Sequence, residues 1–361
     1  MLKPKFSMKD LESQAAQALR LLLQQVPAIK LLDIEHEAPS GPDGGIDIVA
    51  TIDASGRRHV LVCEIKSAGQ PRHVRMALLQ LRDYVARYAQ GATPVFIAPY
   101  LSPAAQSVCR EQDVGFLDLE GNARLVFDSV FIERQVASKP VTDRRELRSL
   151  FKPKSAQVLR VLLRNPHRAW RVTDLAQAAA VSLGHVSNVR VALLDRELAQ
   201  VSEEGLFLSE PDTLLDEWRA AYEPPVGKRL GFYTTMHGAA LEEAARRVLD
   251  ADGEIGLAVF ASFSAAHWLA PYCRTGTQYF YADEVGLERL QSALKLSAIS
   301  QGENVVVTLL NDTGLLRDTE KPAPGAVCTS PVQTYLDLAN SGERGREAAD
   351  HLRQERLTWT K

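Results

Sequence analysis

The chain has 361 residues, 45% hydrophobic and 24% charged, with a formal net charge of −3. At about 150 residues per domain this length predicts two or three domains, and the composition excludes a collagen-like or intrinsically disordered chain. The longest apolar runs, 256–263 and 305–310, have strand length and fall short of the roughly 18 residues that span a membrane.

No apolar stretch of signal-peptide type follows the basic N-terminus. Cys63, Cys109, Cys273 and Cys328 lie far apart, with no CxxC and no nearby histidine pair. This spacing predicts reduced thiols and a cytoplasmic protein, without a disulfide framework or a zinc site.

Three segments are expected. Residues 1–137 alternate helix and strand, 138–227 are mostly helical, and 228–361 return to mixed α/β. The charged connector 138–154 marks the first border. Adjacent prolines, Pro224 and Pro225, mark the second, because they remove backbone donors and force extended chain.

In the first segment Leu11, Ala15, Leu19, Leu22 and Val26 share one helix face. A strand over 30–37 and a loop over 39–45 follow. Runs 46–52 and 59–65 read as strands joined by the turn Asp53-Ala54-Ser55-Gly56. A helix over 73–88, a strand over 93–98, a helix over 102–112 and a strand over 115–119 complete the order αβββαβαβ. Residues 115–124 read as a strand and a Gly-Asn turn opening a hairpin.

The hairpin is centred between Ser55 and Gly56, so Asp47 should lie across from Glu64. Side chains alternate along a strand, so Glu64 and Lys66 share a face. Two carboxylates and one ammonium thus converge at the mouth of the hairpin. Mg²⁺ suits such a pair, since it takes few protein oxygens and keeps several waters. Lys66 would orient or deprotonate a metal-bound water, as in metal-assisted phosphodiester hydrolysis. Asp43 is the rival for the first carboxylate, but its partner position would be 68, past Lys66. The run Val60–Cys63 is continuously apolar, which predicts a strand buried on both faces.

Gly45-Ile46-Asp47 followed by Glu64-Ile65-Lys66 resembles the PD-(D/E)xK, or restriction-endonuclease-like, fold. That family has an αβββαβ core with its acid and its E-x-K on adjacent strands. Gln80-Leu81-Arg82-Asp83-Tyr84 is similar to the Q-x-x-x-Y element of the RecB-like branch, which adds Gln80 and Tyr84 to the candidate catalytic set. Glu12 lies where some members place a further metal carboxylate. The resemblance implies a Mg²⁺-dependent DNA phosphodiesterase if the site is active. Glu64 with Lys66 also fits a surface ion pair, and Gln80 with Tyr84 an i,i+4 helix pair.

Between Arg144 and Arg196 there are eleven basic and three acidic residues, a local charge of +8. Such a segment attracts phosphate. Its pattern is a helix over 154–164, a break at Asn165-Pro166, a helix over 174–179 capped by Thr173, and a helix from Ser182 to about 198. Two short strands, 199–202 and 206–209, flank Glu203-Glu204-Gly205. This order resembles a winged helix-turn-helix, whose third helix enters the major groove. Val186, Val189, Leu193 and Leu194 are expected inward. Gly184, His185, Ser187, Asn188 and Arg190 are left to meet DNA, with Arg168 and Arg171 in the surrounding basic patch. A helical protein-interaction module is the alternative.

In the last segment Thr235 is expected to cap a helix over 238–250. Strands are expected over 255–261, 277–282 and 304–311. Ser330-Pro331 opens a helix through Ala339, and 344–356 is again helical. The stretch Ser330-Pro331-Val332-Gln333-Thr334-Tyr335-Leu336-Asp337-Leu338, with 342–349, resembles AbiEi-type antitoxins, transcriptional regulators of abortive-infection, type IV toxin–antitoxin systems. The resemblance covers 152–361 and implies operator binding and counteraction of a nucleotidyltransferase toxin. The simplest members lack the nuclease-like domain.

The leading expectation is therefore a multi-domain α/β protein: a DNA-binding regulator of antitoxin type that carries a nuclease-fold domain and forms a homo-oligomer or a monomer. One alternative is an active Mg²⁺-dependent endonuclease targeted by the winged helix. The other is a non-catalytic scaffold that binds a partner protein.

Overall fold

The computed structural model describes residues 7–38, 46–136, 140, 147–250, 257–272, 275–299 and 301–359. Asp43, Cys273, Arg144 and Arg145 lie outside the described residues. The chain divides into two compact units, Met1–Arg145 with Leu194–Glu197, and Glu146–Leu193 with Leu198–Lys361.

The first unit is built on a seven-stranded sheet in sequential order. Its elements are α1 (Met8–Gln24), β1 (Ile29–Ala38), β2 (Ile46–Ala54), β3 (Arg57–Ile65), α2 (Pro71–Tyr88), β4 (Thr93–Ala98), α3 (Pro103–Glu111), β5 (Gly115–Asp118), β6 (Ala123–Phe127) and β7 (Val130–Arg134). The αβββαβ order opens the domain as expected, and the hairpin after β5 adds two strands. A capping box starts α1, with the Ser7 hydroxyl accepting from Asp10 N at 3.2 Å. Leu11, Ala15, Leu19 and Leu22 of α1 pack with Ile48, Ala50 and Ile52 on one face of the sheet. Val74, Leu78 and Leu81 of α2 pack with Val62, Phe96 and Phe116 on the other. Strands covered on both faces need apolar side chains at successive positions, which accounts for the buried run Leu61–Cys63.

Ser55 and Gly56 turn the β2–β3 hairpin with φ of 54° and 84°. Two successive positive values define the primed turn whose twist matches that of the flanking strands. The Asp53 carboxylate locks it by accepting from Gly56 N at 2.9 Å.

The second unit begins with α4 (Pro153–Arg164), α5 (Val172–Ala179), α6 (Leu183–Asp195), β8 (Ala199–Val201), β9 (Leu206–Leu208) and α7 (Pro211–Ala220). Helix, helix, helix and hairpin follow in the expected order. Val186, Val189 and Leu193 are buried, while Leu194 is half-buried. The Ser182 hydroxyl accepts from His185 N at 3.3 Å at the start of α6, as a cap should. Thr173 is not the cap of α5: the helix starts at Val172, Arg171 holds the cap position, and the Thr173 hydroxyl instead donates to Asp174.

The rest of this unit is a seven-stranded mixed sheet in the order β13-β10-β14-β12-β11-β16-β15. Its strands are β10 (Gly227–Tyr233), β11 (Ala258–Phe260), β12 (Gln278–Ala282), β13 (Ser297–Ala298), β14 (Val305–Leu310), β15 (Thr319–Ala323) and β16 (Ala326–Thr329). The helices are α8 (Gly238–Leu249), α9 (Ser262–Leu269), α10 (Glu284–Ala293), α11 (Pro331–Ala339) and α12 (Gly342–Arg356). Thr235 does not cap α8, where His237 stands at the cap position. The strand expected to run to 261 ends at Phe260, and the next residues enter α9. Ser330 caps α11 as expected, accepting from Gln333 N at 3.4 Å.

Candidate functional site

The β2–β3 register pairs Ile48 with Cys63, which brings Asp47 opposite Glu64 one step nearer the mouth of the hairpin. The Asp47 carboxylate accepts the Ile65 backbone N–H at 2.6 Å, so it closes on the end of β3. Glu64 is only 4% exposed. Its carboxylate accepts from the half-exposed Lys66 ammonium. Burial pushes the Glu64 carboxyl above the usual range, the Lys66 hydrogen bond opposes that, and the negative charge of Asp47 adds to it. The structure thus brings Asp47, Glu64 and Lys66 together.

The other two candidates lie on α2. Gln80 is exposed on α2, and Tyr84 is half-buried against the α2–α3 core, its ring 5.4 Å from that of Tyr88. Among the described residues no group of three or more His, Cys, Asp or Glu side chains is placed to hold a metal ion. The donor set is two carboxylates, the number with which Mg²⁺ is commonly held when waters complete its shell. A cation there would offset the Asp47 charge, which adds to the effect of burial on the Glu64 carboxyl. The residues present therefore fit such an ion.

In the helical module Ser187 and Asn188 are exposed on α6, with Gly184 and Val191 on the same face. Arg190 is half-buried. His185 turns inward, its Nε2 3.1 Å from the Ser155 hydroxyl of α4. Arg171 is exposed, and Arg168 is exposed with its guanidinium 3.8 Å above the Trp170 ring. The turn between β8 and β9 exposes Glu203 and Glu204.

The local charge of +8 overstates the free positive surface of this module. Arg148 pairs with Glu223 at 3.4 Å, Lys154 with Asp312 at 3.6 Å, and Arg164 with Asp318. Arg160 is 4% exposed, faces Asp318 at 3.4 Å and donates to Gln333 Oε1 at 3.2 Å. Gln333 Nε2 donates to the Tyr222 hydroxyl at 2.8 Å and to Asp337 Oδ1 at 2.9 Å. Tyr222 and Tyr281 also donate to that carboxylate. Burial pushes the Asp337 carboxyl up to about 6 against those hydrogen bonds. Partners as far apart in sequence as Arg160 and Gln333, or Tyr281 and Asp337, carried no signal for this network. The Gln333 and Asp337 spacing of one helical turn was its only trace.

Residues 207–358 match a family described as transcriptional regulator, AbiEi antitoxin, of type IV toxin–antitoxin systems. No curated protein matches the chain. Among solved structures it is similar to a repair endonuclease from Pyrococcus abyssi, at 18% identity over 31% of this chain and 44% of that one, with a TM-score of 0.23. It is also similar to EndoMS in a complex with double-stranded DNA, at 21% identity over 28% of this chain and 42% of that one, TM-score 0.21. Apo EndoMS gives 20% identity over 29% and 45%, TM-score 0.21. The chain spans less than half the length of each of these structures.

The chain is thus a mixed α/β protein of two compact units, the first opening on an αβββαβ order and the second joining a helical module to a mixed sheet. The likeness to the AbiEi antitoxin regulators is confined to 207–358, less than half of the chain. No described helix is long and apolar enough to cross a membrane.

Proposed function

We propose that the protein is a DNA-binding transcriptional regulator of antitoxin type, with α4–α6 and the β8–β9 hairpin acting as a winged helix. The observation that carries the reading is the family match over 207–358, which joins directly to that module. The outward face of α6 supports it. Gly184 allows close approach, Asn188 has the paired donor and acceptor that suit adenine, and Val191 offers a methyl surface to thymine. Arg168, Arg171 and Arg190 supply cations for phosphate. Glu203 and Glu204 would repel phosphate, so the helix rather than the hairpin makes the approach. A cognate toxin is the partner that the family description implies.

The test is a fluorescence-anisotropy titration of the full chain. A duplex from immediately upstream of its own coding sequence is compared with unrelated duplex of equal length. Preference for the former supports the reading, and equal or absent binding contradicts it.

A second reading rests on the convergence of Asp47, Glu64 and Lys66: a Mg²⁺-dependent nuclease. Asp47 and Glu64 would hold the ion, which supplies charge stabilisation and an activated water. Lys66 would stabilise developing charge on the phosphate. Incubation with plasmid DNA, with and without Mg²⁺ or Mn²⁺, separates the two readings. Nicking lost in Glu64→Gln supports the nuclease. Intact plasmid under all conditions leaves the first unit a binding domain.

A further inference from the structure

A cavity of about 290 Å³ opens in the second unit beside α4 and α7. Its walls are flat and apolar. Phe151 and Trp218 stack with ring centroids 5.5 Å apart and planes 5° from parallel, and Pro224, Pro225 and Leu315 complete the lining. Its floor is polar and belongs to the buried network: Gln157, Arg160, Gln333 and Tyr222. Arg160 Nε lies 3.4 Å from Asp318 Oδ2, but neither atom has a hydrogen-bond partner. A buried guanidinium N–H without an acceptor is costly, and this one sits on a residue that lines the cavity.

Most charges at the cavity are compensated, Arg160 by Asp318 among them. Arg148 and Glu223 pair with each other, and Asp312 pairs with Lys154. Lys152 is exposed at the rim and has no ion pair among the described residues. The one free ammonium at the mouth complements a single negative charge, while the floor guanidinium already faces Asp318. They do not form the cation cluster that a polyphosphate needs. The volume equals that of about ten liquid waters, enough for a one- or two-ring molecule. Apolar walls with a few convergent polar groups are the usual make-up of a small-molecule site.

We propose that this cavity binds a small monoanion with a flat apolar body, an aromatic carboxylate by class. The carboxylate meets Lys152 at the mouth, while the ring lies against the Pro224–Pro225 and Trp218 walls. The site stands on the second unit's own packing and does not depend on DNA binding.

Calorimetric titration of the full chain with 2-naphthoate and with 2-naphthamide tests it. The acid should saturate and bind about tenfold more tightly than the amide, since each factor of ten corresponds to about 1.4 kcal/mol. Lys152→Met, at an exposed position, should bring the two affinities together while leaving amide binding in place. Ala156→Leu, which fills the cavity from α4, should abolish both. Failure of both probes to saturate at millimolar concentration overturns the proposal. So does equal affinity of the wild type for acid and amide, or an unchanged preference in Lys152→Met.

Discussion

The Arg160 guanidinium donates to Gln333 Oε1 at 3.2 Å, joining residues 173 positions apart in the chain. Arg160 lies on α4, the first helix of the helical module, and Gln333 on α11, within the segment that matches the antitoxin family. Much of the positive charge that marks the module in sequence is thus turned toward acids of the family segment. In the proposed regulator, DNA affinity would draw on the remainder, which includes the candidates Arg168, Arg171 and Arg190.

Removing this buried cation should be expensive. Arg160→Met leaves Asp318 with Arg164 alone and removes the buried cation that faces Asp337. Breaking one side of a buried pair costs about 3–5 kcal/mol. Urea unfolding at neutral pH should show a loss of that order, and an unshifted midpoint would contradict the network.

Asp337 gives the same network a pH signature. Its folded carboxyl is raised from 3.8 to about 6, so the folded state holds this proton more tightly than the unfolded chain does. The group's contribution is therefore full below pH 3.8 and is lost as the pH rises to about 6. Thermal unfolding of the wild type should fall relative to Asp337→Asn across that window and run parallel above it. Parallel curves throughout would show that Asp337 titrates normally.

At the hairpin mouth, carbon-detected NMR titration of Glu64 should give a pKa above its ordinary 4.5. Asp47→Asn should lower it by removing the like charge, and Lys66→Met should raise it by removing the donor. Added Mg²⁺ should lower it in the wild type. A Glu64 that ignores both substitutions would separate the three groups.

The turn itself can be tested on stability alone, because Ser55 and Gly56 are exposed. Gly56→Val places a β-branched side chain at φ 84° and should cost about 1–2 kcal/mol. Ser55→Asn should stabilise, since asparagine tolerates the left-handed region that a first primed-turn position requires. A silent Gly56→Val would mean that the turn adopts another conformation.

The carboxylate hairpin was legible in sequence because a two-residue turn fixes register by symmetry, and Asp47 falls opposite Glu64 from counting alone. The helix order of the second unit was legible from apolar spacing and from caps such as Ser182. Thr173 and Thr235 misled because a hydroxyl before an apolar run marks a cap only when the backbone turns there. The strand expected over 255–261 was read one residue too far because Ala261, at the cap of α9, is as apolar as the strand before it. The partners of Arg148, Arg160 and Arg164 were out of reach for a different reason. Ion pairs such as Arg164 with Asp318, 154 positions apart, leave no local pattern.

The measurement that tests the central claim most directly is the salt dependence of DNA binding by the full chain, wild type against an Arg168→Ala, Arg171→Ala, Arg190→Ala triple variant. Phosphate contacts release counterions, so the logarithm of the wild-type affinity should fall steeply and linearly with the logarithm of salt concentration. The triple variant should bind more weakly and lose about one unit of slope for each arginine that meets a phosphate. Binding that ignores salt, or a triple variant indistinguishable from wild type, would contradict the regulator account.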